Sequence, residues 1–247
     1  MKALELNAAS AEAYAALAAV NFWLEWNWRD AEVNFSRAIE LDPNNPRTHL
    51  MYGNYLLAGG REEAAASEID EAVKLDPVSM STIGRAAFFH LRAGHYDEAI
   101  ALSRRMLELE PQSPLARECQ YRAYLGKGKN RDSIDVAREK MVLAGATQDK
   151  LNLLNRQAPT DAIEQHLRKE LSDRKDAVRR GEKVVSYARV ASLCAWFGDN
   201  DQAFEWLEIA ARKRAPSLVF LGVDPIWAHL RSDPRVDRFA RMASQRL

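Results

Sequence analysis

Glycine and proline are scarce in this chain of 247 residues, at 11 and 9. So few turn formers and helix breakers argue against an all-β protein, and against an enzyme built on the Gly-rich turns and β-branched strands of a dinucleotide-binding sheet. Cysteine is scarcer still. Cys119 and Cys194 lie far apart in helical contexts and read as small buried apolar side chains, not as a disulfide, which fits a reducing, cytoplasmic compartment. Neither sign of charge is in excess, with 35 basic and 35 acidic residues. A dedicated nucleic-acid binder usually carries a clear positive surplus. A run of about 20 apolar residues, which a membrane span needs, is missing. The opening MKALELNAASAEAYAALAAV is not read as a signal peptide, because Glu5 and Glu12 interrupt any apolar stretch. What the chain has in abundance is alanine, 39 residues, the best helix former.

The alanines fall in a repeat. IELDP ends at Pro43, VKLDP at Pro77 and LELEP at Pro111, a spacing of 34 and again 34. LELNA near the start belongs to the same series, but Leu6 precedes Leu41 by 35, which implies one inserted residue in the first unit. Each unit reads as two amphipathic helices. In the second unit the first helix covers roughly 48–58, Gly59 and Gly60 make the turn, and 62–75 forms the second helix. Ala65, Ile69, Ala72 and Leu75 lie on one face of that second helix, and Asp76-Pro77 stops it. In the third unit Gly94 turns, and Tyr96 and Ala99 follow. Small residues recur in register (Gly53 and Ala87; Ala65 and Ala99; Ala38 and Ala72) because paired helices approach closely there. A larger side chain would overpack the contact, at about 1–3 kcal/mol.

These positions carry a resemblance to the tetratricopeptide repeat (TPR). The second unit supplies Gly53, Gly60, Ala65, Ala72 and Pro77; the third supplies Ala87, Gly94, Tyr96, Ala99 and Pro111, with Met106 in place of the second Ala. The first gives Ala18, Trp28, Ala31, Ala38 and Pro43, without its turn Gly. The resemblance implies an all-α fold, a right-handed superhelix of antiparallel helix pairs with a C-terminal helical cap. We expect residues 1–145 to hold a half repeat and about four units, 146–183 an irregular helical insert, 184–215 a further unit, and 216–247 the cap. The fourth unit is degenerate: Tyr121 takes the small-residue place, and Ser133 and Lys140 replace alanines, so it should be looser or reorganised. Thr160 can cap a charged helix reaching about Arg180, whose narrow apolar series Ala162, Ile163, Leu167 and Leu171 suits the surface of the array; 146–159 reads as a loop or irregular helix.

The tail differs in kind. LVFLGV reads as a short extended run, and Asp224-Pro225 and Asp233-Pro234 as starts of two short helices. Leu221, Trp227, Leu230 and Phe239 should be buried over the last repeat, since an open array needs a cap. GDNDQAFEWLEIA followed by LVFLGVDPIWAHLRSDPRV resembles the closing segment of bacterial multidomain proteins in which a TPR array follows a winged-helix, Ser/Thr kinase or nucleotide cyclase domain. Val236 departs from the usual Phe there. MKALELN reads as the second half of a repeat, which suggests a fragment of a larger regulatory protein or, alternatively, a natural half-repeat cap.

Catalytic and metal motifs are not found. The five histidines, His49, His90, His95, His166 and His229, show no helical zinc spacing, and HExxH and CxxC are missing. LGKGKN at 125–130 lacks the phosphate-loop spacing. We therefore expect no enzyme and no cofactor. Function should lie in the concave groove, whose places fall on Phe22 and Trp23; Arg47, Leu50, Asn54 and Leu57; Gly84, Phe88, Leu91 and Arg92; and Leu115, Glu118, Arg122 and Leu125, with Arg85 beside them. Of these, Arg47, Asn54, Leu57, Arg85, Phe88, Arg92 and Arg122 are the candidate partner contacts, since Arg grips carboxylates and aromatics supply desolvated anchors. The bland reading, ordinary surface Arg and core Phe, stands beside this one. The carboxylate clamp of chaperone-tail-binding TPRs is not matched: only Asn54 fits. Trp26 stands where a turn Gly is usual, and should either pack under an upstream repeat or anchor a partner.

Charge is uneven along the chain. Residues 1–77 hold 6 basic and 13 acidic residues, 78–111 hold 4 and 4, and 112–247 hold 25 and 18. That polarity either steers salt-sensitive self-association or is drift on solvated faces. The expected role is a signalling scaffold for a protein or peptide partner, an acidic one being a candidate, with neither nucleic acid nor membrane bound by this segment.

Overall fold

Each hairpin starts where a small polar side chain replaces a missing backbone partner. Ser10 accepts from the amide of Ala13, Asn45 from Thr48, Ser79 from Thr82, Ser113 from Ala116 and Ser186 from Arg189. Such a cap contributes about 1 kcal/mol. The computed structural model describes residues 10–148, 159–182 and 186–243, and among these there are only helices, turns and connecting coil. The helices are α1 (Ala11–Val20), α2 (Trp28–Leu41), α3 (Pro46–Ala58), α4 (Glu62–Leu75), α5 (Met80–Ala93), α6 (Tyr96–Leu109), α7 (Pro114–Gly126), α8 (Asn130–Leu143), α9 (Pro159–Arg179), α10 (Tyr187–Trp196), α11 (Asn200–Arg212) and α12 (Val236–Ala243). The half repeat MKALELN and most of the segment at 146–159 fall on residues outside the described ones.

The repeat spacing becomes packing. A Cβ added at Gly53 would stand 2.9 Å from Ile69 Cδ1 and 3.1 Å from the Ala65 carbonyl oxygen, so α3 and α4 touch where the small residues recur. Gly60 and Gly94 close their helices at φ +77° and +80°, the left-handed region that side chains disfavour. The first hairpin solves the same turn differently. Its extra residue is absorbed by one turn of π-helix, Asn21–Glu25, and Trp26 itself takes the left-handed conformation, at φ 57°.

The chain divides into two compact units, Met1–Pro77 with Ser186–Leu247, and Val78–Val185. In the second unit α5, α6, α7 and α8 pack in succession, α5 also lies against α7, and α9 rests on α8. Gly84 sits in the α5–α7 contact, where a Cβ would come 2.9 Å from Leu115 Cδ2. Tyr121 is buried against Val136 and Ala137, under Lys140 and edge-on to His166 of α9. Of the narrow stripe on α9, Ala162, Ile163 and Leu167 are buried. Ser133, at an alanine place, is buried and donates its hydroxyl to the Asn130 carbonyl.

In the first unit α1 to α4 pack in succession around an aromatic cluster. Phe22 meets Trp28 and Tyr55 edge-on at 5.2 and 5.4 Å, and Phe35 lies 5.7 Å from Tyr55. The Tyr55 hydroxyl donates to the Trp28 carbonyl and to Glu32, and Arg61 bridges to Glu32 from above the same ring. The hairpin of α10 and α11 belongs to this unit, with the tail folded over it. Leu221, Trp227, Leu230 and Phe239 are buried as the sequence pattern predicts. Two details differ from expectation. LVFLGV is not extended, because Pro216–Phe220 forms a 3-10 helix. The Asp224 cap opens a second 3-10 helix, Pro225–Leu230, while Asp233 caps only the turn before α12. Pro216 and Pro225 stand at the starts of the two 3-10 segments, where their fixed φ suits a tight turn.

Candidate interaction site

Arg85 and Arg92 stand one turn before and one turn after Phe88 on α5, so the three share a stripe. Arg85 is exposed, while Phe88 and Arg92 are half-buried. Phe88 leans on the core cluster of Ala87, Leu91, Ala99, Cys119 and Ala123, which fixes one side of its ring. From α7, the exposed Arg122 holds its guanidinium 5.7 Å from the ring centre. Arg122 Nε donates to Glu118 one turn earlier, at 2.6 Å. Lys140 Nζ of α8 donates to the other oxygen of the same carboxylate. Burial opposes the charge on Glu118, but Arg122 and Lys140 together outweigh it and hold its carboxyl below the usual range. The site therefore presents three arginines around a half-open aromatic ring, with the Glu118 carboxylate held between Arg122 and Lys140. That arrangement suits an anionic group beside an apolar one. Cys119 beneath it is no nucleophile, since burial pushes its thiol up to about 12.

In the first unit the place that matches Phe88 is closed. Arg47 is exposed, but Leu57 and Leu50 are 1% and 3% exposed and Asn54 donates its amide to the Leu50 carbonyl. Leu57 and Asn54 are thus corrected from partner contacts to interior residues. On this unit the 3-10 helix Pro216–Phe220 packs on α3 and on the π-turn. Phe220 meets Trp23 at 5.6 Å and Phe22 at 6.4 Å. In the second unit Gly84 and Leu91 also move from the groove to the interior, because α7 packs on α5.

Trp26 is settled by the same contact. It is 8% exposed, and Arg214 lies 5.7 Å over its ring while donating to the carbonyls of Leu24 and Glu25 at 3.0 and 3.2 Å. It packs against Arg214 of this chain's own C-terminal segment. Local sequence holds no sign of this, since 190 residues separate Arg214 from Leu24.

The remaining candidates are structural. His49 is buried, with Nδ1 2.6 Å from Glu68 and Nε2 2.8 Å from the Pro43 carbonyl, so it ties the α2–α3 turn to α4. His90 and His95 lie 5.7 Å apart across the α5–α6 turn. Among the described residues no group of three or more His, Cys, Asp or Glu converges as a metal site would, and no helix is long and apolar enough to cross a membrane.

No family model matches the chain. Among solved structures it is similar to PilW, a widely conserved type IV pilus biogenesis factor, at 15% identity over 96% of this chain and 86% of that one, with a TM-score of 0.50. The Pseudomonas aeruginosa pilF structure is 18% identical over 82% and 91%, with a TM-score of 0.48. A structure of MamA is 17% identical over 58% and 84%, also at 0.48. At such identities likeness speaks for fold alone. The fold is the all-α tetratricopeptide-repeat fold.

Proposed function

We propose that this protein is a non-catalytic interaction scaffold that binds an acidic peptide or protein segment on the α5–α7 face of its second unit. The observation that carries this reading is the half-open Phe88 ring bracketed by Arg85, Arg92 and Arg122. A ligand carboxylate would take over Arg122, and an apolar neighbour would cover Phe88, completing the desolvation that makes an aromatic–Arg pair an anchor. Glu118 is the built-in competitor for that carboxylate, because it already occupies Arg122 and Lys140. Asn54 and Leu57 are left out of this contact set because they are interior, and the exposed Arg47 belongs to the first unit.

The reading is tested by fluorescence anisotropy with short peptides that carry an aromatic residue beside Asp or Glu, against the same peptides with Asn or Gln. Acidic peptides should bind more tightly, with affinity falling as salt rises. Arg85→Glu with Arg122→Glu should lower affinity at least about tenfold, the cost of one or two charge-assisted hydrogen bonds. Glu118→Gln should raise it. Equal binding of acidic and neutral peptides, or indifference to all three substitutions, rejects this face as the site.

A further inference from the structure

Among the described residues Trp196, at the end of α10, is the one aromatic side chain that stands clearly in solvent, at 44% exposure. The His229 ring of the second 3-10 helix meets it edge-on at 5.3 Å. Ile226, one turn earlier on that helix, is exposed as well. In a 3-10 helix such a pair lies one above the other, so Ile226 and His229 share a side of it. Apolar surface of this kind at one spot is a usual mark of an interaction site.

The turn that follows Trp196 is acidic. Asp199 and Asp201 are exposed. Asp199 caps α11, accepting from the backbone and side-chain amides of Gln202. Asp201 pairs with Arg235, which it shares with Asp233. Three carboxylates thus surround one guanidinium, and each keeps lone pairs for a further donor. The turn offers in one short stretch an exposed indole and an excess of carboxylate. The α5–α7 face offers the converse, a half-open Phe88 among Arg85, Arg92 and Arg122. The turn belongs to the unit in which acidic residues outnumber basic ones, and the face to the unit in which basic residues are in excess.

We propose that the segment bound by the α5–α7 face is the α10–α11 turn of a second copy of this chain, which rests on the reading of that face given above. Trp196 of one copy covers Phe88 of the next, and Asp199 and Asp201 meet its arginines. Trp and Arg are the side chains that most often anchor an interface. Opposite charge on the two surfaces steers them together. Glu118 gives up Arg122 to the incoming carboxylate and keeps Lys140. The turn and the face are different surfaces, so a copy that has filled its face still presents its turn. Such a contact passes from copy to copy, into a ring or an open chain.

Sedimentation velocity on the full chain tests this. The mean sedimentation coefficient should rise between about 2 and about 200 μM protein at about 50 mM salt, and rise much less at about 500 mM, where charges are screened within a few ångströms. Trp196→Ala with Asp199→Asn and Asp201→Asn removes the chemistry of the turn and keeps the cap, since Asn caps a helix as well as Asp does. That variant and, separately, Arg85→Glu with Arg122→Glu should each weaken self-association at least about tenfold. Each substituted position is exposed, and circular dichroism checks that the fold is kept. Mixed together, the two variants should form a two-chain complex and nothing larger, because one retains the face and the other the turn. A parent chain that stays monomeric throughout overturns the proposal. So does association that neither variant weakens, or a mixture that fails to associate. Should a variant misfold, Trp196→Ser or Arg122→Gln alone replaces it under the same criteria. If a monomeric parent still binds acidic peptides through Arg122, the reading of the face stands and only the identity of its partner falls; if it binds none, both fall.

Discussion

The first and second units use one repeat position in opposite ways. At matching places of the 34-residue register stand Asn54 on α3 and Phe88 and Arg122 on α5 and α7. Asn54 is interior, with its amide turned back onto its own helix, while Phe88 is half-open and Arg122 exposed. The helices share one register; their surroundings differ. The first unit receives the 3-10 helix Pro216–Phe220 from the distant end of the chain. A repeat position thus fixes where a side chain points, and not what meets it there. The units differ in charge too. Met1–Pro77 with Ser186–Leu247 carries 15 basic and 20 acidic residues, and Val78–Val185 carries 20 and 15. The covered face belongs to the acidic unit and the open, Arg-rich face to the basic one.

Removing the Phe220 ring should disturb the first unit and leave the second intact. Phe220 is 1% exposed against Phe22 and Trp23, so Phe220→Ala should cost the first unit about 3–5 kcal/mol. Hydrogen exchange should show lost protection in α1 and α2 and unchanged protection in α5 to α8. Equal loss in both units would mean that the cover matters to the fold as a whole and not to one face of it.

A smaller effect is expected in the second unit. Gly126 ends α7 against Tyr96, and a Cβ there would lie 2.4 Å from two atoms of the ring. Gly126→Ala should cost about 1–3 kcal/mol in the second unit, read by denaturant titration. Tyr96→Leu in the same chain should recover part of the loss, because the ring is what the methyl meets.

The smallest effect is a matter of pH. Arg122 and Lys140 depress the carboxyl of Glu118 in the folded chain. Its stabilisation is therefore complete above the ordinary Glu value of about 4.3 and is lost as pH falls through the lower folded value. Glu118→Gln should cost about 1–2 kcal/mol at about pH 7 and almost nothing at about pH 2, by urea titration at each pH.

Much of the fold is legible in the amino-acid order. Pro43, Pro77 and Pro111 set the period, and Gly60, Gly94 and the recurring alanines place turns and contacts, because each acts over a few residues through backbone geometry. The odd spacing of 35 announces an extra residue in the first unit, and the π-turn at Asn21–Glu25 is where it goes. The Ser and Asn caps of the first helices are equally local, but they do not stand out among the many other polar residues. Of the candidate site, Arg85, Phe88, Arg92 and Arg122 follow from the register and lie on accessible or half-accessible surface, whereas Leu57 and Asn54 follow from the same register and do not. No local pattern separates the two groups.

Helicity, the starts and turns of the hairpins, and the small-residue stripe of each helix are written in the order of the amino acids. Which inner faces are filled follows from long-range packing. In the first unit Arg214 and Phe220 reach residues nearly 200 positions away, and a contact closed over so long a loop leaves no periodic trace in the chain.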